Sequence, residues 1–171
     1  MVKLVPYDAS YEAVTLNRIS NFFGFHKSLV QTASSGSVAS NADTEDSRLM
    51  LREWQVHPNA LFMIINDDAS VGFVRINYRG PNVAWIEDIF VDAAHRGRGI
   101  ASAAIASVEA IIMNTPGYTA VCLDVSPRNE SALRLYHKLG YTDLSLITIR
   151  KEFGNSQREK PIRLLSLDFK Y

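Results

Sequence analysis

The stretch Val91-Asp-Ala-Ala-His-Arg-Gly-Arg-Gly-Ile-Ala101 constrains this chain more than any other, because it joins two runs of different period. Before it, Trp85-Ile-Glu-Asp-Ile-Phe-Val91 reads as a strand; after it, Ile105, Val108 and Ile112 share one face of a helix. Such a junction exposes unpaired backbone N–H groups and the positive end of the helix dipole, which together bind anions. Gly97 and Gly99 let the backbone take unusual dihedrals and approach a phosphate closely. Arg96 and Arg98 add charge and bidentate donors. The stretch reads as a pyrophosphate cradle; the plainer alternative is a Gly-rich turn with two solvated arginines. Other phosphate loops fit less well. A nucleoside-triphosphate loop needs Gly-Lys followed by Ser or Thr, and a dinucleotide turn needs a third Gly or Ala where Ser102 stands.

Around this junction the periodicity predicts seven strands and four helices. Val2–Val5 is a short strand, and Tyr11–Phe25 a helix that Gly24 breaks. His26–Asp46 is polar and small, the composition of a mobile loop and a candidate lid. A helix follows over Thr44–Gln55, capped by Thr44, with Leu49, Leu51 and Trp54 on its buried side. Ala60–Ile65, Val71–Tyr78 and Val83–Val91 form an antiparallel meander. Ala120–Val125 reads as a buried strand beside a parallel neighbour. A helix over Glu130–Leu139 is closed by Gly140, and strands over Leu144–Phe153 and Ile162–Phe169 end the sequence. No repeat or linker divides it, so residues 1–171 are expected to form a single domain.

Charge and cysteine content narrow the partners. The 171 residues carry 18 Lys plus Arg against 18 Asp plus Glu, a balance without the basic excess of a general nucleic-acid binder. The most apolar run, Ile100–Met113, includes Ser102, Ser107 and Glu109 and falls short of the ~20 residues of a membrane span. The N-terminus places Pro6 and Asp8 where a signal peptide has its apolar core. One cysteine, Cys122, excludes an internal disulfide and suits a reducing compartment, so a cytoplasmic location is expected. Cys122 reads as core packing rather than a nucleophile. His26, His57, His95 and His137 have no metal-ligand spacing, and no metal is expected.

A second constellation is Asn129-Glu-Ser-Ala132-Leu-Arg-Leu-Tyr136-His-Lys-Leu-Gly140-Tyr141. Seven residues make nearly two helical turns, which brings Asn129 and Tyr136 to one side if Asn129 is close to helical geometry. Alone, Asn129 is as readily an N-cap and Tyr136 a core residue. Together the two constellations resemble the Gcn5-related N-acetyltransferase (GNAT) superfamily. Arg96-Gly-Arg-Gly99-Ile-Ala101 fits its pyrophosphate motif, and Asn129, Ala132, Tyr136 and Gly140-Tyr141 fit its second acetyl-coenzyme A motif in order and spacing. The likeness covers about Ala84 to Tyr141.

The resemblance implies an α/β (α+β) fold: a mixed, mostly antiparallel sheet of about seven strands with helices on both faces. It implies acetyl-coenzyme A contacts from Ile89, Phe90, Val91, Arg96, Gly97, Arg98, Gly99, Ile100, Ala101, Ser102, Asn129 and Tyr136. The pantetheine arm lies where the strand bearing Glu87–Val91 splays from Ala120–Val125, bonded by Ile89 and Val91 like an added strand. The implied activity is acetyl transfer to a primary amine of a small molecule or peptide, with Glu87 as base and Asp88 second, because strand alternation points only one of them at the cleft. A backbone N–H near Phe90 or Val91 would hold the thioester carbonyl, and Tyr136 would protonate the coenzyme A sulfur. Asp43, Glu45, Asp46, Glu87 and Asp88 would suit a cationic acceptor. A non-catalytic acetyl-coenzyme A sensor and a dinucleotide-binding enzyme are the alternatives, and an exposed final strand near Phe169 would allow a homodimer.

Overall fold

Asp67 and Asp68 both take positive φ, 48° and 65°, the backbone that a two-residue hairpin turn needs to follow strand twist. They join β2 (Asn59–Asn66) to β3 (Ala69–Asn77) in an antiparallel pair. The structure is a computed structural model that describes residues 1–30, 41–151, 153 and 158–171. These belong to two units, Met1–Phe25 with Ser37–Asp124, and His26–Gly36 with Val125–Tyr171.

The first unit holds a five-stranded sheet in the order β1-β2-β3-β4-β5. β1 (Val2–Pro6), β2, β3 and β4 (Val83–Val91) are antiparallel neighbours, and β5 (Ala120–Leu123) runs parallel to β4. Alternation sorts the strand side chains onto two faces. On one, Leu61, Met63, Ile65, Phe73 and Phe90 pack with Ile19 and Phe22 of α1 (Glu12–Val30) and with Leu51 and Trp54 of α2 (Asn41–Trp54). Phe22 meets Phe73 and Phe90 edge-on at 6.0 and 6.4 Å between centroids, a favoured aromatic geometry. Ile64, Val74, Ile76 and Ile86 point the other way and are equally buried. α3 (Ile100–Met113) packs on β1, β4 and β5 and buries Ile100, Ala104, Ile105, Val108 and Ile112. Each such aliphatic side chain removed from water contributes roughly 1.5–3 kcal/mol.

The second unit contains α4 (Glu130–Lys138) and a hairpin of β6 (Pro161–Leu164) and β7 (Leu167–Lys170).

The seven strands and four helices of the described residues match the expected mixed α/β class, with differences in detail. The seven strands are five in one sheet and two in a separate hairpin. The run predicted as one strand over Ile162–Phe169 turns back at Leu165 and Ser166, which take φ of 49° and 66°, and among the described residues of Leu144–Phe153 there is no strand. α1 runs through Gly24 to Val30, since an exposed glycine costs a helix only ~1 kcal/mol. The predicted lid therefore has helix at both ends, His26–Val30 in α1 and Asn41–Asp46 in α2, and residues 31–40 lie outside the described residues. Thr44 sits within α2 rather than capping it, and Leu49 is exposed.

Candidate functional site

The sheet opens along β4. Its parallel pairing with β5 runs from Val83 opposite Ala120 to Ile86 opposite Leu123 and ends there. From Glu87 to Val91 that edge of β4 has no strand beside it among the described residues, and β5 ends at Leu123, short of the expected Val125. Asp92 N–H donates to the Val71 carbonyl at 2.9 Å on the β3 side. Backbone groups alternate along a strand, so Val91 and Ile89 turn theirs to the open edge while Phe90 turns toward β3. The Val91 carbonyl there accepts from Arg96 Nε at 2.8 Å.

A β-bulge sits in the middle of the same strand. Arg75 pairs with Asp88 and Ile76 with Ile86, so Glu87 is one residue extra. Plain alternation would send Glu87 and Asp88 to opposite faces, but the bulge shifts the phase and both reach the arginines of β3 and the turn after it. Arg75 Nε and Nη2 each lie 2.6 Å from Asp88 Oδ2, Nη1 donates to Asn59 Oδ1 at 2.8 Å, and the guanidinium carbon stands 4.9 Å from the Trp54 ring centre. Glu87 is held more loosely. Its Oε2 is 4.0 Å from Arg75 Nη2, and its Oε1 is 3.1 Å from Arg79 Nη1. That oxygen is buried yet accepts no hydrogen bond, since the guanidinium approaches it off-axis. Glu45 and Asp46 are exposed on α2, and the side chain of Asp43 lies outside the described residues.

After β4 the chain makes a single 3₁₀ turn (Ala93–His95) and enters the glycine loop. Gly97 and Gly99 take φ of 73° and 77°, and a Cβ on either would meet no atom within 4 Å. The glycines are thus required by backbone conformation and keep the face of the loop open. Gly99 is the N-cap of α3 and supplies no side-chain cap, which leaves the N–H groups of Ile100, Ala101 and Ser102 for an anion. Arg98 is exposed. Arg96 is held by Val91 and lies 5.6 and 5.4 Å from the ring centres of Phe25 and Phe90. Half-buried His95 has a buried Nδ1 without a hydrogen bond.

Four residues that matter here carried no signal in the sequence. Arg18 of α1, 3% exposed, fixes the start of the loop: Nε reaches both Asp92 oxygens at 3.0 and 3.1 Å, Nη2 reaches Oδ2 at 2.7 Å, and Nη1 donates to Ser70 Oγ at 2.7 Å. Gly72 lets β4 approach, since a Cβ there would stand 2.1 Å from the Phe90 carbonyl oxygen. Arg75 and Arg79 find their carboxylates only across the sheet, and a composition of charged residues cannot reveal that pairing.

In the second unit Asn129 is the N-cap of α4, at φ −87° and ψ 64°, and its Oδ1 accepts from Ala132 N–H at 3.3 Å and Ser131 Oγ at 3.1 Å. Its non-helical backbone removes the geometric argument for one shared side with Tyr136. Tyr136 is half-buried, and burial pushes its phenol above the usual pKa. Its ring stands 6.0 Å from that of Tyr141, and Gly140 takes φ 94°, as a left-handed C-terminal cap does. Cys122, opposite Trp85 on β5, is half-buried rather than fully packed away. Among the described residues no group of three or more His, Cys, Asp or Glu could hold a metal, and no helix is long and apolar enough to cross a membrane.

An open strand edge stands beside an uncapped, glycine-entered helix, with a carboxylate on the same strand. The family model for the acetyltransferase (GNAT) family matches residues 27–141, well over half of the sequence, and the chain belongs to that family. An uncharacterized N-acetyltransferase of Methanocaldococcus jannaschii is 28% identical over 106 residues, 62% of this chain and 67% of that one. An aminoglycoside N(6')-acetyltransferase type 1 of Klebsiella pneumoniae is 28% identical over 68 residues, 40% of this chain, so the match spans about a third (34%) of that enzyme. Among solved structures, the aminoglycoside N-acetyltransferase AAC(6')-Iy in complex with CoA shares the fold, with TM-score 0.63, 19% identity, and coverage of 90% of this chain and 96% of that one.

Proposed function

We propose that this acetyltransferase moves an acetyl group from acetyl-coenzyme A to a primary amine of a small molecule or peptide, by direct transfer in a ternary complex. The observation that carries the reading is the unpaired Glu87–Val91 edge beside the Gly97 and Gly99 loop. The residues present fit the donor. The N–H groups at the start of α3, with Arg98, suit a pyrophosphate, and the backbone of Ile89 and Val91 suits an extended amide-bearing arm.

When bound, acetyl-coenzyme A supplies an acetyl group activated as a thioester. Glu87 accepts the proton of the acceptor ammonium, directly or through one water, so that the neutral nitrogen can form the new C–N bond. Val91 N–H, rather than that of Phe90, holds the carbonyl oxygen as it gains negative charge. Tyr136 gives its phenolic proton to the sulfur as the C–S bond breaks, and the second proton that the nitrogen sheds as it becomes an amide returns through water to the phenolate. Its role rests on motif spacing, and a phenol raised by burial remains protonated at neutral pH. Asp88, committed to Arg75, is a positioning group.

The partial likeness to aminoglycoside acetyltransferases supports a small-molecule amine, with polyamines and peptide N-termini as further classes. We read residues 1–171 as one functional domain, cytoplasmic by its single cysteine, with no nucleic-acid or membrane partner. Exposed Leu144, Leu146, Phe153 and Leu167 support a homodimer, to be checked by light scattering.

The test is a screen of aminoglycosides, polyamines, amino acids and short peptides, with thiol release and amine acetylation both read out. Transfer requires both signals. Acetyl-coenzyme A binding with neither signal would indicate a sensor. Tyr136→Phe should lower kcat by about 10²-fold or more and leave acetyl-coenzyme A affinity largely intact; an unchanged rate would remove Tyr136 from the scheme.

A further inference from the structure

We infer that Glu87 and Trp85 form a cation-binding subsite for the acceptor, and that Arg79 is its built-in occupant, displaced when an acceptor ammonium arrives. This rests on the acetyltransferase reading and assigns to the acceptor side a place and a competitor.

Trp85 and Glu87, the residue inserted at the bulge, lie two apart on β4 and are brought to one place by a shared contact with Arg79. A carboxylate beside an indole face is the chemistry that holds an organic cation, by ion pairing and by attraction to the ring quadrupole. Arg79 satisfies both. Its guanidinium carbon is 4.0 Å from the Trp85 ring centre, and its Nη1 is 3.1 Å from Glu87 Oε1. It does so as a removable group. Its side chain is 45% exposed, against 16% for Arg75. It stands at the start of the Arg79–Asn82 turn rather than within a strand, and the oxygen it approaches accepts no hydrogen bond from it.

The two arginines thereby divide the labour at the bulge. Arg75 neutralises Asp88 and remains, whereas Arg79 screens Glu87 and can leave. A primary ammonium whose carbon chain can lie on the Trp85 ring is the class of ligand that fits. Its nitrogen would take the place of the guanidinium at the carboxylate oxygen that removes its proton. The same geometry makes small guanidinium ions competitors of the acceptor.

The experiment titrates methylguanidinium chloride into wild type, Arg79→Ala and the double variant Arg79→Ala with Glu87→Gln. Tryptophan fluorescence is followed at ionic strength matched with sodium chloride, and folding is checked by far-UV circular dichroism. Arg79→Ala should give a saturable change with a midpoint roughly threefold or more below that of wild type, and the double variant should lose it. An Arg79→Ala curve no tighter than wild type, or a double variant that titrates like the single one, overturns the subsite. Arg79→Gln repeats the measurement should the alanine variant fold poorly. In steady-state acetylation the acceptor KM of Arg79→Ala should fall by a similar factor, with methylguanidinium competitive against the amine. Tight probe binding with no amine acetylated would leave the subsite standing and remove the transfer reading alone; acetylation without any gain on Arg79→Ala would do the reverse.

Discussion

Glu87 in β4 and Asp92 just after it are both carboxylates met by an arginine, and the two contacts differ in how the arginine is held. At Asp92 the arginine is buried, forks onto both oxygens and has a spare N–H satisfied by Ser70. The guanidinium in that position cannot be left alone, because loss of Asp92 would strand Arg18 away from water, whereas Asp92 is itself one-third exposed. At Glu87 the arginine is half in solvent, touches one oxygen and makes no hydrogen bond to it, and such pairs contribute at most about 1 kcal/mol. The first contact fixes where the glycine loop begins. The second holds its carboxylate loosely. The same pair of residue types thus builds a tight brace or a loose pair, according to how far the arginine is buried and how many of its donors are satisfied.

The contrast can be tested from both sides. Glu87→Gln should reduce kcat/KM by about 10²- to 10⁴-fold with little change in melting temperature, whereas Asp88→Asn, which strands Arg75, should lower the melting temperature and cost less in rate. Asp92→Ala, which leaves the buried Arg18 without its carboxylate, should destabilise by about 3 kcal/mol or more, read as a lower urea midpoint, with Arg18→Lys milder because the charge survives and the fork does not. A loss under about 1 kcal/mol for Asp92→Ala would erase the distinction between the two contacts. Gly72→Ala should cost about 2 kcal/mol, since the backbone carbonyl of Phe90 must retreat, and it should disturb the loop and the bulge together. The smallest effect concerns pH. Burial raises the phenol of Tyr136, so the folded state favours the neutral form. Its contribution to stability is intact below the unfolded phenol value of about 10 and is lost as pH rises through the higher folded one. On this account kcat holds its plateau to about pH 10, and Tyr136→Phe removes that alkaline limb.

What the sequence made legible was local. The strand, glycine loop and helix from Trp85 to Met113 could be read because conformation there depends on neighbours in the chain, and both glycines do adopt positive φ. The bulge could not be read, because a one-residue slip exists only relative to β3, and alternation along Glu87 and Asp88 looks the same with or without it. Arg18 and Gly72 were silent for the same reason: one is polar in an amphipathic helix and the other a glycine in a strand, until Asp92 and Phe90 arrive beside them. The alternating apolar residues of the strand expected over Leu144–Phe153 misled in the opposite way, since among its described residues there is no strand. The hairpin turn at Leu165 and Ser166 lacks the Asn, Asp or Gly that usually marks positive φ.

The end of β5 at Leu123 has a consequence for handling the protein. A sheet left unfinished along Glu87–Val91 is a template on which any extended chain can lay itself down. The exposure is kept to a few residues and carries two carboxylates, which discourages stacking of like upon like. Occupancy of that edge by a donor would act as a cap against self-association, so preparations supplied with coenzyme A should tolerate higher concentration than those without it, as turbidity against concentration would reveal.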